Sequence, residues 1–389
     1  MIVNIGVCGK FHYWNFVKYI SDQSALGRFY YSHKLSTTGS FMGIPEEKAV
    51  NVWIKEYLIY IHLRMLRGNY TEQFFPLYND LWQLLALIRW EKCDIFHFMI
   101  HGTARRLISR GRREGSLILG EAVNSHPRTQ FKILEDEYEN LGLKKKPYLS
   151  LGYQRHIEEV SETDHLLVPS SFVKESFIQN GYDASRIHLI PFGVELKNFY
   201  SEIEKKIAKN SIFRAVCVAQ ITPRKGQIYL LEAWKKLKLP EAELLLIGRI
   251  DPIMYPILDK YRGLYRHIES VPHTELQTFY NQSSVFVLPS VEDGFGYVLN
   301  EALACGLPII ATTNTGAPEV ISHGKEGFIV PIRSSGEIAS SIEKLYLDPM
   351  LQQQMSSAAI QKSKLNFGWR HYASDVYSLY EQLLGFHDS

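Results

Sequence analysis

Charge of one sign is what this sequence has least of. Over 389 residues, 43 Lys and Arg stand against 41 Asp and Glu. A chain so balanced lacks the excess of cations with which proteins neutralise nucleic-acid phosphates. Cysteine is equally sparse. Cys8, Cys93, Cys217 and Cys305 form no CxxC pair, so they read as small buried hydrophobes of a reducing compartment, not as a disulfide frame or a zinc site. No apolar run approaches the ~18 residues a membrane span needs. The amino terminus opens on a strand pattern without the marks of a signal peptide. Asp-x-Asp, GxGxxG and Walker loops are missing too, as are low-complexity tracts and short repeats. We therefore expect a cytoplasmic globular protein that binds no metal.

What is present is alternation. Residues 2–8, 94–99, 117–119 and 166–168 are apolar runs between helical patterns, which suggests a parallel sheet covered on both faces. The stretch 40–92, rich in aromatics and Leu, reads as inserted helices. Ile190-Pro191-Phe192-Gly193-Val194 breaks the pattern, and a polar stretch follows to residue 210. A second series then starts, with strands at 215–219, 244–247, 285–288, 309–311 and 328–330 and helices from Gln227 and over 298–305. The expected architecture is α/β, two doubly wound Rossmann-like domains facing a central cleft. Residues 1–192 form the first and 193–368 the second, with a terminal helix from Trp369 packing back on the first.

The chemistry concentrates in SVEDGFGYVLNEALACGLP, residues 290–308. A strand ends at Pro289, Gly294 and Gly296 flank Phe295, and a helix follows. Such a loop presents unpaired backbone N–H groups at the positive end of a helix and so attracts anions. Asp293 precedes the loop and Glu301 lies inside an otherwise apolar helix. Taken singly, a plain turn and a surface carboxylate would explain them equally well. The second signal is Arg224-Lys225, two adjacent cations between a strand and a helix. A guanidinium fork and a point charge both suit phosphate oxygens, although a solvated basic turn reads the same way when seen alone.

Together these motifs resemble the donor site of the retaining family-four glycosyltransferases, which have the GT-B fold. The resemblance is specific from about residue 160 onward and weak before it. Supporting segments are 168–173, the linker 190–194 with Phe199, 316–319, 324–331, and Trp369 with Tyr372. It implies that Glu301 binds the ribose hydroxyls. Asp293 would lie against the transferred sugar, with Glu292 able to substitute in part. Arg224 and Lys225 would clamp the diphosphate, and the backbone of Phe295, Gly296, Tyr297 and Val298 would meet the diphosphate and sugar. Gln220 stands where the family often has a further Arg. In the first half the resemblance points to Gly9 as part of a glycine loop facing the donor, with His12 nearby. It also points to His126 as a contact to the donor sugar, with His101 as competitor.

The implied reaction moves a hexose from a nucleotide-diphosphate sugar to an acceptor hydroxyl, metal-independent and with retention. The acceptor is a glycan, a glycolipid or a small molecule. No cofactor is expected beyond the donor itself. Two other readings stay open: a sugar-nucleotide epimerase or hydrolase of the same fold, and a non-catalytic glycan-binding module.

One basic cluster falls outside this scheme. Arg105, Arg106, Arg110, Arg112 and Arg113 lie within nine positions, and Lys144, Lys145 and Lys146 follow. The cluster reads as a solvated helix face or as a contact for anionic lipid or an anionic acceptor. In the second case the protein would sit peripherally at the inner membrane face.

Overall fold

The computed structural model describes residues 1–65, 71–144, 151–201, 212–365 and 368–386. Lys145, Lys146 and most of the polar stretch after the linker lie outside them. Two separate sheets are present, both wholly parallel. The first has the order β3-β2-β1-β4-β5-β6-β7. Its strands are β1 (Val3–Val7), β2 (Leu26–Tyr31), β3 (Ala49–Asn51), β4 (Ile95–Met99), β5 (Leu117–Glu121), β6 (His165–Val168) and β7 (Ile187–Leu189). The second has the order β10-β9-β8-β11-β12-β13. It contains β8 (Phe213–Val218), β9 (Ala242–Ile247), β10 (Arg266–Ile268), β11 (Val285–Leu288), β12 (Ile309–Thr312) and β13 (Gly327–Val330).

The central strands are continuous apolar runs because helices cover both sheet faces. β1, β4, β11 and β12 are buried at every position. The edge strands β7 and β10, Ile-His-Leu and Arg-His-Ile, carry no such run and are only partly buried. The stretch 40–92 is not helical throughout. It contains β3 beside the helices Ile54–Met65 and Thr71–Ile88, and β2 lies just before it. All four cysteines are buried as thiols.

Each sheet reverses its strand order once, between β1 and β4 and between β8 and β11. Crevices beyond the carboxyl ends of parallel strands at such a point are where doubly wound folds bind ligands. The chain passes between the sheets at two places that run side by side. Val194 bridges Gly368, and a Cβ on Gly193 would lie 2.6 Å from the Trp369 nitrogen, so only glycine fits there.

The helix Trp369–Leu383 packs against the helix Tyr13–Asp22 of the first domain. Polar groups anchor it: the Tyr372 hydroxyl donates to Glu121 at 2.7 Å, and the Tyr380 hydroxyl lies 2.6 Å from His97 Nδ1. Glu121 also meets His12 at 2.7 Å and His97 at 3.4 Å. Burial works against its charge, but His12 and His97 outweigh it and hold the carboxyl far below the usual range.

Candidate functional site

Two loops at the carboxyl ends of β8 and β11 build the site. After β8, the Thr222 hydroxyl caps the turn Pro223–Lys225 by accepting the Lys225 N–H at 3.3 Å. That turn presents Arg224 and Lys225 in tandem. After β11, Val291 N–H donates to the Arg224 carbonyl at 3.0 Å, which holds the two loops together. Thr312, at the end of β12, donates to the Ser290 carbonyl at 2.5 Å and fixes the same loop from the other side.

The cations face the carboxylates. Lys225 Nζ pairs with Asp293 Oδ2, and Arg224 Nε with Glu292 Oε2. Burial would raise the Asp293 pKa, but Lys225 and then Arg224 outweigh it and lower it. For Arg224, burial opposes the charge while Glu292 and Asp293 raise its pKa further. Arg224 is therefore held charged inside a partly desolvated pocket.

Glu292 is not available as a substitute for Asp293, which corrects the sequence reading. It is fully buried and turned toward the first domain, where Ser125 Oγ donates to it at 2.7 Å and Gln130 Nε2 at 3.1 Å. Arg224 reaches the same loop, donating from Nη2 to Asn124 Oδ1 at 2.8 Å. Gly294 lies so close to this loop that a Cβ would fall 1.8 Å from the Val123 carbonyl oxygen. Its own carbonyl accepts from Ser170 Oγ at 2.6 Å. The loop after β11 is therefore closed onto the first domain.

Gly296 adopts φ +81°, and the helix Val298–Ala304 begins two residues later. The N–H groups of Gly296, Tyr297 and Val298 head this helix, where no earlier turn supplies acceptors. The Phe295 side chain is buried, whereas the Tyr297 ring stacks on Phe192 of the linker at 4.9 Å. Glu301 is 6 % exposed. It accepts from the buried Tyr280 hydroxyl at 2.8 Å, and its other oxygen meets His273 Nε2 at 2.8 Å. That bond to Glu301 raises the His273 pKa, and the His273 side chain is largely exposed. A ligand hydroxyl can take the place of such a partner.

The first-domain candidates divide. Gly9 follows β1 at φ +134°, a backbone that L side chains rarely adopt. His12 belongs to the buried network around Glu121. Asn124, two residues before His126, reaches Arg224, and Ser125 reaches Glu292; the His126 ring turns elsewhere. His126 caps the helix Pro127–Asn140 by accepting the Arg128 N–H at 3.2 Å, and it packs edge-on against Phe177. Burial, with Arg128 nearby, lowers its pKa to about 4. His101 bonds the Ile100 carbonyl through Nδ1 and stacks on His156.

Sequence reasoning missed Tyr280, His273, Asn124 and Ser125 as partners of the site. Tyr280 and His273 are 21 and 28 residues from Glu301 in the chain, and Asn124 is 100 from Arg224. The packing of the helix Leu276–Asn281 beside the helix of Glu301, and the junction of the two domains, bring them together, so no local signal could have found them.

Residues 200–362 match the family described as "Glycosyl transferases group 1". A D-inositol 3-phosphate glycosyltransferase of Pseudarthrobacter chlorophenolicus is 28% identical over 233 residues, 56% of this chain and 55% of the relative. A capsular polysaccharide biosynthesis glycosyltransferase of Staphylococcus aureus is 25% identical over 79% of this chain and 82% of its own. This chain spans 55% to 60% of the length of several of the curated relatives it matches. Among solved structures, Anabaena HepE in complex with UDP and glucose superposes with a TM-score of 0.69 at 13% identity, covering 98% of this chain and 100% of that one.

The chain has the GT-B fold. In that fold two Rossmann-like domains face one another, and here the loops after β8 and β11 form the second domain's side of the junction. Asn124, Ser125 and Ser170 form the first domain's side. Among the described residues, no helix of the GT-B frame is long and apolar enough to cross a membrane.

Proposed function

We propose that this protein is a retaining glycosyltransferase that moves a hexose from a nucleotide-diphosphate sugar to an acceptor hydroxyl. The observation that carries the reading is the tandem Arg224-Lys225, paired with Glu292 and Asp293 beside the loop 293–298, within a segment that matches glycosyl transferases group 1. As the anomeric carbon–oxygen bond breaks, negative charge grows on the departing diphosphate. Lys225, the remaining Nη1 of Arg224 and the N–H groups heading the helix would receive that charge, so their contact strengthens toward the transition state. The acceptor oxygen forms the new bond on the same face, and its proton goes to the leaving phosphate. Asp293 orients the sugar.

Glu301 binds the ribose hydroxyls, taking them in place of the His273 contact while Tyr280 holds its other oxygen. Gly9 borders the donor from the first domain. His126 supports this side by fixing the loop that carries Asn124 and Ser125. The proposal assigns charge neutralisation to the two side-chain cations and needs no metal.

The test is a panel of uridine, guanosine and adenosine diphosphate sugars, each with and without glycan or lipid-linked acceptors, with the product anomer read by NMR. Transfer with retention is expected. Donor breakdown that no acceptor accelerates would favour the epimerase or hydrolase reading. Failure to bind any nucleoside diphosphate would sink the proposal.

A further inference from the structure

The arginine cluster that the donor chemistry leaves unused lines a cavity of about 340 Å³ on the first domain. Its walls are the helices Thr71–Ile88, Arg105–Arg113 and Leu151–Ser161, and Gly102 beyond the end of β4. The volume lies in the range of small-ligand sites. Three arginines, Arg105, Arg106 and Arg155, line it together with one acidic residue, Asp80.

The arginines are not equivalent. Arg155 is clamped by Asp80 through two bonds of 3.0 Å, with a third to the Pro76 carbonyl at 3.2 Å, so its position is fixed. Arg105 pairs with Glu158 at 2.9 Å on the exposed rim. The Arg106 backbone N–H is held by Gln83 at 2.8 Å, while among the described residues its side chain makes no ion pair. The start of the arginine helix does not supply the positive potential. Glu159 already accepts the N–H groups of His101 and Gly102, at 3.0 and 2.6 Å, and that of Ala104. Arg155 and Arg105 have carboxylate partners, Arg105 a second one in Glu162 at 3.8 Å, so among the described residues the charge left without an ion pair is that of Arg106.

We infer that this cavity binds a phosphate group carried by a molecule other than the donor, with Arg106 as its principal ligand and Arg155 as a pre-set second fork. A phosphate presents enough oxygens for two guanidinium forks at once, and the cavity leaves room for the group that bears it. The bearer is either a soluble phosphorylated compound or a phospholipid headgroup. The exposed Leu77 and Leu84 on the helix Thr71–Ile88 offer apolar surface beside Asp80 and Gln83 for the second.

The test uses the full chain, its Arg106→Ala variant and its Arg155→Lys variant. Glycerol 3-phosphate binding is measured by calorimetry. Co-sedimentation is measured with phosphatidylcholine vesicles, with and without phosphatidylglycerol. Uridine diphosphate affinity is measured in parallel. Arg106 is exposed and, among the described residues, its side chain makes no ion pair, so its variant should fold as the parent does. We expect Arg106→Ala to weaken one of the two phosphate probes at least tenfold, and Arg155→Lys to weaken the same probe, with uridine diphosphate affinity unchanged. Loss of glycerol 3-phosphate identifies a soluble bearer, and loss of phosphatidylglycerol vesicles a lipid. Absence of binding to both probes, equal binding by parent and Arg106→Ala, or a parallel loss of uridine diphosphate affinity would each overturn the inference. Failure of the parent to bind any nucleotide would instead sink the proposed donor chemistry and leave this site untouched.

Discussion

Lys225→Ala separates the role proposed for this lysine from the one its ion pair gives it. The proposed role is catalytic. Removing one preorganised donor to a developing oxyanion costs ~10²–10³ in turnover, about 2.7–4 kcal/mol. The second is structural, because Lys225 faces a largely buried carboxylate. Breaking a buried ion pair costs ~3–5 kcal/mol when the surviving charge has no other partner. Here Arg224 still acts on Asp293, and the Lys225 and Asp293 side chains keep 20% and 13% exposure. The expected destabilisation is therefore smaller, about 1–3 kcal/mol.

The pH dependence follows from the direction of the Asp293 shift. A lowered carboxyl pKa stabilises the fold above the unfolded value of ~3.9, and that contribution is lost as pH falls through the folded value. Without Lys225 that contribution is already missing near neutrality, so the stability gap between parent and variant should narrow as pH falls through the folded Asp293 value. Adding Asp293→Asn to Lys225→Ala should recover most of the stability, since no buried charge is left behind, while turnover stays low. The assays are urea unfolding, and steady-state kinetics at saturating donor and acceptor. If Lys225→Ala raises only the Michaelis constant for donor and keeps turnover, the lysine binds ground and transition states alike and its catalytic role is wrong.

Three further outcomes are expected. Glu301→Ala should weaken nucleoside diphosphate binding by roughly 1.5–3 kcal/mol and also lower stability by ~1–3 kcal/mol, because the buried Tyr280 hydroxyl loses its acceptor. Glu301→Gln keeps an acceptor for Tyr280 and should recover most of that stability, and unchanged affinity in folded Glu301→Ala would refute the ribose assignment. The raised His273 pKa means that its pairing with Glu301 stabilises below the unfolded value of ~6.5 and is lost as pH rises through the folded one. Nucleotide affinity should accordingly fall as His273 protonates, and titration calorimetry of His273→Ala should show that pH dependence flattened. Gly294→Ala places a methyl group against the Val123 carbonyl, so small-angle scattering should show a larger radius of gyration and turnover should drop; an unchanged radius would mean that the loop yields without parting the domains.

The doubly wound plan was legible because central parallel strands are buried on both faces and leave unbroken apolar runs. β1, β4, β11 and β12 are such strands, and the residues read as strands overlap them. β2 was missed because Gly27 and Arg28 interrupt its run, although Arg28 is accommodated by pairing with Glu91 at the strand's end. β7 and β10 were missed because short edge strands need no apolar continuity. In the site, residues adjacent in sequence were readable as a pair or a loop, as with Arg224-Lys225 and residues 293–298. What Glu292 does was not readable. Its neighbour Asp293 faces Lys225 while Glu292 faces Ser125 of the other domain, and successive residues of a loop take opposite directions for reasons that lie in the partner surface.

That division of labour bears on how the two domains are held together. Arg224 touches Glu292 and Asn124 at once, so the same guanidinium belongs to the proposed diphosphate clamp and to the domain junction. Lower on the same side, Glu137 is fully buried between Tyr229, at 2.9 Å, and Arg333, at 2.7 Å. Glu319 accepts the Ser171 N–H at 2.8 Å. These contacts join first-domain residues 124–137 and 170–171 to the second domain through groups that carry charge or are buried. Separating the domains takes Tyr229 and Arg333 away from Glu137, a cost of the same kind as breaking a buried pair, and leaves Glu292 with Arg224 but without Ser125 and Gln130. A diphosphate that engages Arg224 alters the charge balance at Glu292, and with it the hold on Ser125 and Gln130. On the proposed role of Arg224, donor binding and domain contact are coupled through one side chain, and by reciprocity whatever steadies the junction also steadies the clamp.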